Sequence, residues 1–194
     1  MLRKNIAPVI ATILTGILFI VIGSCFSAFL YKKEIIKVED PKIITNSNIE
    51  VFNSDNDKII NLKLSKLELG LKPSTGEEDK ETGIPATVSD KKGSEGLFGK
   101  VLVYAPTGAK ILINNIIISS NKDEDKIAEE RENIMVSVKE IKQSTKSLDK
   151  DSVELGEIDA SSEKTELTFY VWLSGKASKV LESARISFDI VFQE

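Results

Sequence analysis

The distribution of apolar and polar residues divides this chain into two parts. Residues 6–30 contain no charged side chain, whereas Arg3 and Lys4 precede them and Lys32 and Lys33 follow them. A helix of this length would reach roughly 38 Å, which is enough to cross a hydrocarbon core of about 30 Å. The pattern therefore predicts that Ile6 to Leu30 is a membrane segment.

Three fates remain open for this segment, which lies within a first region of residues 1–33. It can stay as an uncleaved anchor, because a cleavable signal peptide has an apolar region of only about 7 to 15 residues. It can be lipidated at Cys25, the only cysteine, since Ile22-Gly23-Ser24-Cys25 resembles a bacterial lipobox. It can also be a processed signal. The first two fates tether the rest of the chain to a membrane.

Charges near the two ends of Ile6 to Leu30 bear on orientation. A count of Lys and Arg slightly favours a cytoplasmic location for the rest of the chain. However, a short basic lead before an apolar stretch is typical of export signals, and long domains translocate largely regardless of charge. We therefore expect a single-pass protein of the cell membrane, with membrane lipid around this segment and the downstream domain outside the cytoplasm.

After residue 33, apolar residues recur at every second position in short runs separated by turn residues. This period is typical of β-strands that bury one face. We expect residues 34–57 to form a stalk and a first strand region, and residues 58–194 to form a β domain. Strands are predicted at Lys58–Leu71, Leu97–Ala105, Lys110–Ser119, Asn133–Ile141, Val153–Ile158, Glu166–Ser174 and Arg185–Phe192.

The connections between these strands differ in composition. Pro106-Thr107-Gly108 predicts a tight turn, and hence a hairpin between the flanking strands. Asn121 to Glu132 and Gly175 to Ser183 have the composition of short helical connections. Residues 73–96 hold four glycines, two prolines and nine charged residues, which predicts a long solvated loop.

These patterns together predict a mainly β fold, an N-terminal transmembrane helix followed by an antiparallel, jelly-roll-like β-sandwich. Tyr170 and Trp172 lie on the opposite face of their strand from the core, or in a second packing layer. They are a candidate interaction surface, unless Gly175 to Ser183 covers them. Six residues of the last two strands are expected to face the core: Phe169, Val171, Leu173, Ile186, Phe188 and Ile190.

Composition excludes several kinds of function. The chain contains no histidine and its only cysteine is Cys25, so His-based triads, Cys/His zinc sites and disulfides within the domain are excluded. The part after residue 33 holds 22 basic and 30 acidic side chains, a net charge of −8, which argues against a nucleic-acid partner. We expect no cofactor, no metal site and no catalytic residue.

The last two strands resemble a known family. The stretches Phe169-Tyr170-Val171-Trp172-Leu173-Ser174-Gly175 and Ala184-Arg185-Ile186-Ser187-Phe188-Asp189-Ile190-Val191-Phe192 are similar to the C-terminal end of the camelysin/TasA family. The resemblance implies an exported bacterial β-sandwich protein, and some members of that family polymerise into biofilm fibres. It covers about 25 residues, together with the plan of a basic lead, an apolar segment and a β domain.

Two functions follow as expectations. The first is a membrane-tethered bacterial cell-surface domain with a structural or protein-interaction role in the envelope or extracellular matrix. Its partner would be another protein or a second copy, and strand addition at a sheet edge is the simplest mode of assembly. The alternative is an accessory or sensor subunit of a membrane protein complex.

Overall fold

The computed structural model describes residues 40–46, 48–65, 73–91, 93–119, 124–181 and 184–194. The predicted membrane segment, with Cys25, lies outside these ranges. The chain divides into two units, Met1–Ile35 and Ile36–Glu194, and every described residue belongs to the second. Among the described residues, no helix is long and apolar enough to cross a membrane.

The described part of the chain is mainly β, as the period-two pattern predicted. A short α-helix, α1 (Glu124–Glu130), continues into a 3-10 turn at Arg131–Asn133, which confirms the helical composition found between Asn121 and Glu132. Nine strands are described: β1 (Lys42–Thr45), β2 (Glu50–Phe52), β3 (Leu97–Tyr104), β4 (Ala109–Ser119), β5 (Ile134–Val138), β6 (Lys146–Ser147), β7 (Ser152–Ile158), β8 (Thr165–Leu173) and β9 (Arg185–Gln193).

The strands form two sheets. The four-stranded sheet has the order β1-β9-β4-β7, and the five-stranded sheet has the order β2-β3-β8-β5-β6. All neighbouring strands are antiparallel except β1 and β9, which are parallel. From β6 onward, every connection carries the chain from one sheet to the other, so most pairings join distant parts of the sequence.

Both sheets contribute to one hydrophobic core. Phe169 of β8 and Phe192 of β9 meet edge to face, with ring centroids 6.4 Å apart and an interplanar angle of 89°. The contact joins the five-stranded sheet to the four-stranded one. All six residues predicted to face the core are buried in it, which confirms the alternation of inward- and outward-facing residues in the last two strands. These residues are Phe169, Val171, Leu173, Ile186, Phe188 and Ile190.

The strand predicted at Lys58–Leu71 is wrong over its described part, residues 58–65, which contains only isolated bridges. The alternation in the sequence reflects burial, because Leu62 and Leu64 lie in the core. Single backbone bonds hold the segment, such as that from Leu62 N to Pro41 O at 2.8 Å. An extended chain can bury alternate residues without forming a ladder.

The hairpin predicted between β3 and β4 is also wrong. The turn itself is present, because Gly108 N donates to Ala105 O at 3.1 Å and Gly108 has a φ of 84°. However, β3 pairs with β2 and β8, whereas β4 pairs with β7 and β9. The turn is a corner between the sheets. A corner and a hairpin use the same turn residues, so the local sequence does not distinguish them.

The connection predicted to be helical at Gly175 to Ser183 forms successive turns through its described residues, and it packs on the main core through Leu181. It therefore does not cover the outward aromatic residues of β8. That cover comes from residues 73–96, hereafter the strap. The strap contains no strand or helix in its described residues, as predicted, but the expectation of a purely solvated loop is wrong at its centre.

Candidate functional site

Each sheet has one face toward the core and one outward face, and the two outward faces differ in their cover. On the five-stranded sheet, Ile84 and Val88 of the strap form a second hydrophobic cluster with Tyr170 and Trp172. Phe98 and Met135 pack against this cluster from β3 and β5. The strap therefore completes a second packing layer over this sheet.

The candidate surface formed by Tyr170 and Trp172 lies inside this layer. The two residues are 4% and 2% exposed, and the ring of Phe98 lies 6.3 Å from that of Tyr170. Burial raises the pKa of the Tyr170 phenol, and the negative charges of Asp90 and Glu140 raise it further. In this arrangement neither ring is presented to a partner.

Hydrogen bonds hold the strap at its start and its middle, and one bond lies within the strap. Ser74 N donates to Leu173 O at 2.8 Å, which places the start of the strap beside β8. The Ser74 and Thr87 hydroxyls lie 2.7 Å apart. In the middle, Gln143 N donates to Glu81 O at 3.0 Å, which ties the strap to the loop between β5 and β6.

The outward face of the four-stranded sheet carries a row of aliphatic side chains. The strand register places Ile44 of β1, Val191 of β9 and Leu112 of β4 side by side. Ile44 is 36% exposed, and the other two are half-buried. Their neighbours in sequence, such as Ile111 and Phe192, are fully buried on the core side. We call these three residues the apolar row.

Polar residues of both charge signs flank the apolar row. On one side of the apolar row, the register places Lys42, Asp189 and Asn114 next to one another on β1, β9 and β4. On the other side, it places Gln193, Lys110 and Glu157 next to one another on β9, β4 and β7. Lys110 Nζ lies 3.2 Å from Glu157 Oε1. Its hydrogen bond to Glu157 raises the pKa of Lys110, and the charge of nearby Glu154 adds to this effect. The face therefore has an aliphatic centre and a mixed-charge rim.

A β-bulge in β4 shapes one end of this face. Asn115 supplies one extra residue relative to β9 and has a φ of 51°, and its Nδ2 donates to Asp189 Oδ2 at 2.6 Å. Before the bulge, the even-numbered residues of β4 face outward, and after it the odd-numbered residues do. Ile116 is therefore only 9% exposed, whereas Ile117 is 61% exposed. Without it, Ile116 and Ile118 would both turn outward. The bulge therefore exposes one isoleucine instead of two.

Two open grooves lie beside this bulge. The first has a volume of about 660 Å³ and is lined by Asp40, Asp151 and Asp189 among others, and the second has about 500 Å³. Both grooves share Ile116 and Ile117. Within the described ranges, no three Asp, Glu, His or Cys residues are grouped so as to hold a metal ion.

The sheet edges are less suited to strand addition than this face. Ile43 N donates to Ile60 O at 2.7 Å on the outer side of β1, and Ile59 N donates to Val51 O at 3.0 Å on the outer side of β2. Strand β6 has two residues, and β7 contains a bulge at Gly156, where φ is 140°. Short, covered and bulged edges disfavour pairing with another chain.

Sequence patterns did not predict the apolar row, although the signal was present. Leu112 and Val191 are apolar, although each lies at a position where the period-two pattern of its strand predicts an outward-facing polar residue. Only the strand register shows that they lie beside Ile44. Of the residues singled out from the sequence, Tyr170 and Trp172 are buried and Cys25 lies outside the described ranges. No known protein family, curated protein or solved structure matches the chain.

Proposed function

We propose that this chain is a membrane-tethered bacterial cell-surface domain that acts through protein contacts in the envelope or extracellular matrix. The observation that carries the proposal is the apolar row across β1, β9 and β4. Isolated exposed aliphatic residues are ordinary on soluble proteins, whereas a contiguous patch with a polar rim is typical of a binding surface. A mixed-charge rim suits a protein partner better than a strongly charged polymer.

The pairing of strands supports a jelly-roll-like sandwich as the scaffold. β3 pairs with β8, β4 with β7 and β5 with β6, so the chain follows the path of one long antiparallel ribbon rolled into two sheets. The parallel pairing of β1 with β9 departs from this plan. The similarity of the last two strands to the camelysin/TasA family points to the same scaffold and to an exported protein.

The tether in this proposal is Ile6 to Leu30. An uncleaved anchor, lipidation at Cys25 and removal of a signal predict different masses for the native mature protein. These are the full-length chain, a lipid-modified chain that begins at Cys25, and a shorter unmodified chain. Protease treatment of intact cells tests the orientation, because an extracytoplasmic domain is degraded while cytoplasmic proteins survive.

Cross-linking in intact cells tests the proposed contact. The wild-type chain is expected to form a discrete cross-linked product, either with an envelope protein or with itself. Leu112→Lys should remove this product, because it places a charge within the apolar row. Leu102→Lys is the matched control, since Leu102 is also half-buried on an outward face, beside Phe52 and Glu166. A chain that cross-links to nothing would contradict the proposal.

The larger groove favours a second candidate function. Its volume of about 660 Å³ and its polar lining suit a small polar ligand or a peptide side chain. The chain would then be an accessory or sensor subunit of a membrane protein complex. Purification in mild detergent distinguishes the two functions, because only the second requires an integral-membrane partner in fixed stoichiometry.

A further inference from the structure

We infer that the partner on the apolar row is a second copy of this chain, docked sheet against sheet about a two-fold axis parallel to the strands. The inference rests on the proposed function and names the occupant of the same face. On the five-stranded sheet, the strap covers the part of the outward face around Tyr170 and Trp172. On the four-stranded sheet, none of the described residues packs over Ile44, Leu112 and Val191 in a hydrophobic cluster, so this is the face that we assign to a partner.

The strand register makes the centre of this face self-complementary, whereas at its margin Ile44 comes to lie opposite Glu154 of the partner subunit. An axis midway between β9 and β4 places Val191 opposite Leu112 of the partner subunit, and Leu112 opposite Val191 of the partner subunit. In such an isologous contact, each favourable pairing occurs twice, because the two-fold axis relates the two copies. Facing sheets pack about 10 Å apart, a distance that aliphatic side chains from two sheets fill.

The polar rows also match under this axis. Asp189 lies opposite Asn114 of the partner subunit, whose amide can donate to a carboxylate, and Gln193 lies opposite Lys110 of the partner subunit. Neither flanking row therefore places like charges opposite each other. By contrast, an anionic membrane or nucleic acid would meet Glu154 and Glu157 on the same face.

The size of the face predicts a weak and reversible dimer. Four strands about 4.8 Å apart make the face roughly 19 Å wide, and about six residues at roughly 3.4 Å each make it roughly 20 Å long, so its area is roughly 400 Å² per copy. Two copies would then bury about 800 Å², which is less than the 1,200 Å² or more of stable complexes. Confinement of both copies by a membrane tether raises their effective concentration and favours such a contact.

Sedimentation equilibrium of the full-length chain in mild detergent, over a series of protein concentrations, tests the inference. The wild-type chain should show a reversible monomer–dimer equilibrium. Leu112→Lys and Val191→Lys should each raise the dissociation constant about tenfold or more, because each buries a charge at the centre of the contact. Leu102→Lys should leave it unchanged. Thermal unfolding of each variant checks that it is folded.

The outcomes separate this inference from the proposed function. Equal dimerisation of wild type and Leu112→Lys would overturn the inference, because the contact would then lie elsewhere. A monomeric wild-type chain that still cross-links to an envelope protein through Leu112 would overturn it as well, but would leave the proposed function standing. A monomeric chain that cross-links to nothing would overturn both.

Discussion

Phe169 and Phe192 meet edge to face across the core, with ring centroids 6.4 Å apart, and each belongs to a different sheet. Both side chains are fully buried, at 1% and 0% exposure. Aromatic pairs in this geometry contribute about 0.5–1.5 kcal/mol beyond the burial of their area. The contact therefore links the two sheets directly through the core.

A double-mutant cycle with leucine tests this coupling. Phe169→Leu and Phe192→Leu should each lower the free energy of unfolding by about 1–3 kcal/mol, measured by urea titration. The double variant should lose less than the sum of the two, by about 0.5–1.5 kcal/mol, because the first substitution already removes the ring contact. Strict additivity of the two losses would show that the rings do not interact.

The strap should be separable from the main core, because it packs in a second hydrophobic cluster. Trp172, the only tryptophan, is 2% exposed beneath it, so intrinsic fluorescence reports the position of the strap. Val88→Ser should shift the emission to longer wavelength and increase quenching by acrylamide at concentrations of urea well below the unfolding transition. Ile60→Ser, at a site 73% exposed, is the control and should leave the emission unchanged. Unchanged emission in Val88→Ser would contradict this role of the strap.

Glu130 should make stability depend on pH in the acidic range. Its Oε2 accepts hydrogen bonds from Ser178 N at 3.1 Å and from Asn133 Nδ2 at 3.0 Å, and the Ser178 bond is the main cause that lowers the pKa of Glu130. Because the folded pKa lies below the unfolded one, the added stability is present above the unfolded pKa and is lost as pH falls through the folded pKa.

Glu130→Gln tests this dependence. The variant should lose less than about 1 kcal/mol at neutral pH, since solvent screens the site, and the difference from wild type should shrink below about pH 4. Urea unfolding at several pH values measures both effects. Glu132→Gln removes a charge from the same turn without touching the Ser178 amide, and it should not reproduce this pH profile. A loss that is independent of pH would count against the assignment.

The bulge in β4 depends on the left-handed backbone of Asn115, whose φ is 51°. Asn115→Val should cost about 1–2 kcal/mol more than Asn115→Gly, because a β-branched residue is disfavoured in this conformation and glycine is not. Both variants lose the hydrogen bond to Asp189, so their difference isolates the backbone effect. Equal unfolding free energies of the two variants would mean that β4 can relax to another conformation.

Sequence patterns by themselves determined most of the strands and the core. Strands β3, β4, β5, β7, β8 and β9 all lie where alternation predicted them, and the six predicted core residues are buried. Such predictions succeed because the period of two is a local property of an extended backbone. The same patterns located the strap as a region without regular structure, since its glycines, prolines and charges disfavour both strand and helix.

Only the tertiary structure decided which strands pair and what covers each outward face. The turn at Pro106 to Gly108 suits a hairpin and a corner equally, and the choice depends on the partners available to β3 and β4 elsewhere in the chain. Val88 and Trp172 are distant in sequence, as are Ile44, Leu112 and Val191, which form one row. Burial and surface contact are non-local, so alternation can assign a residue to a face but cannot say what lies against that face.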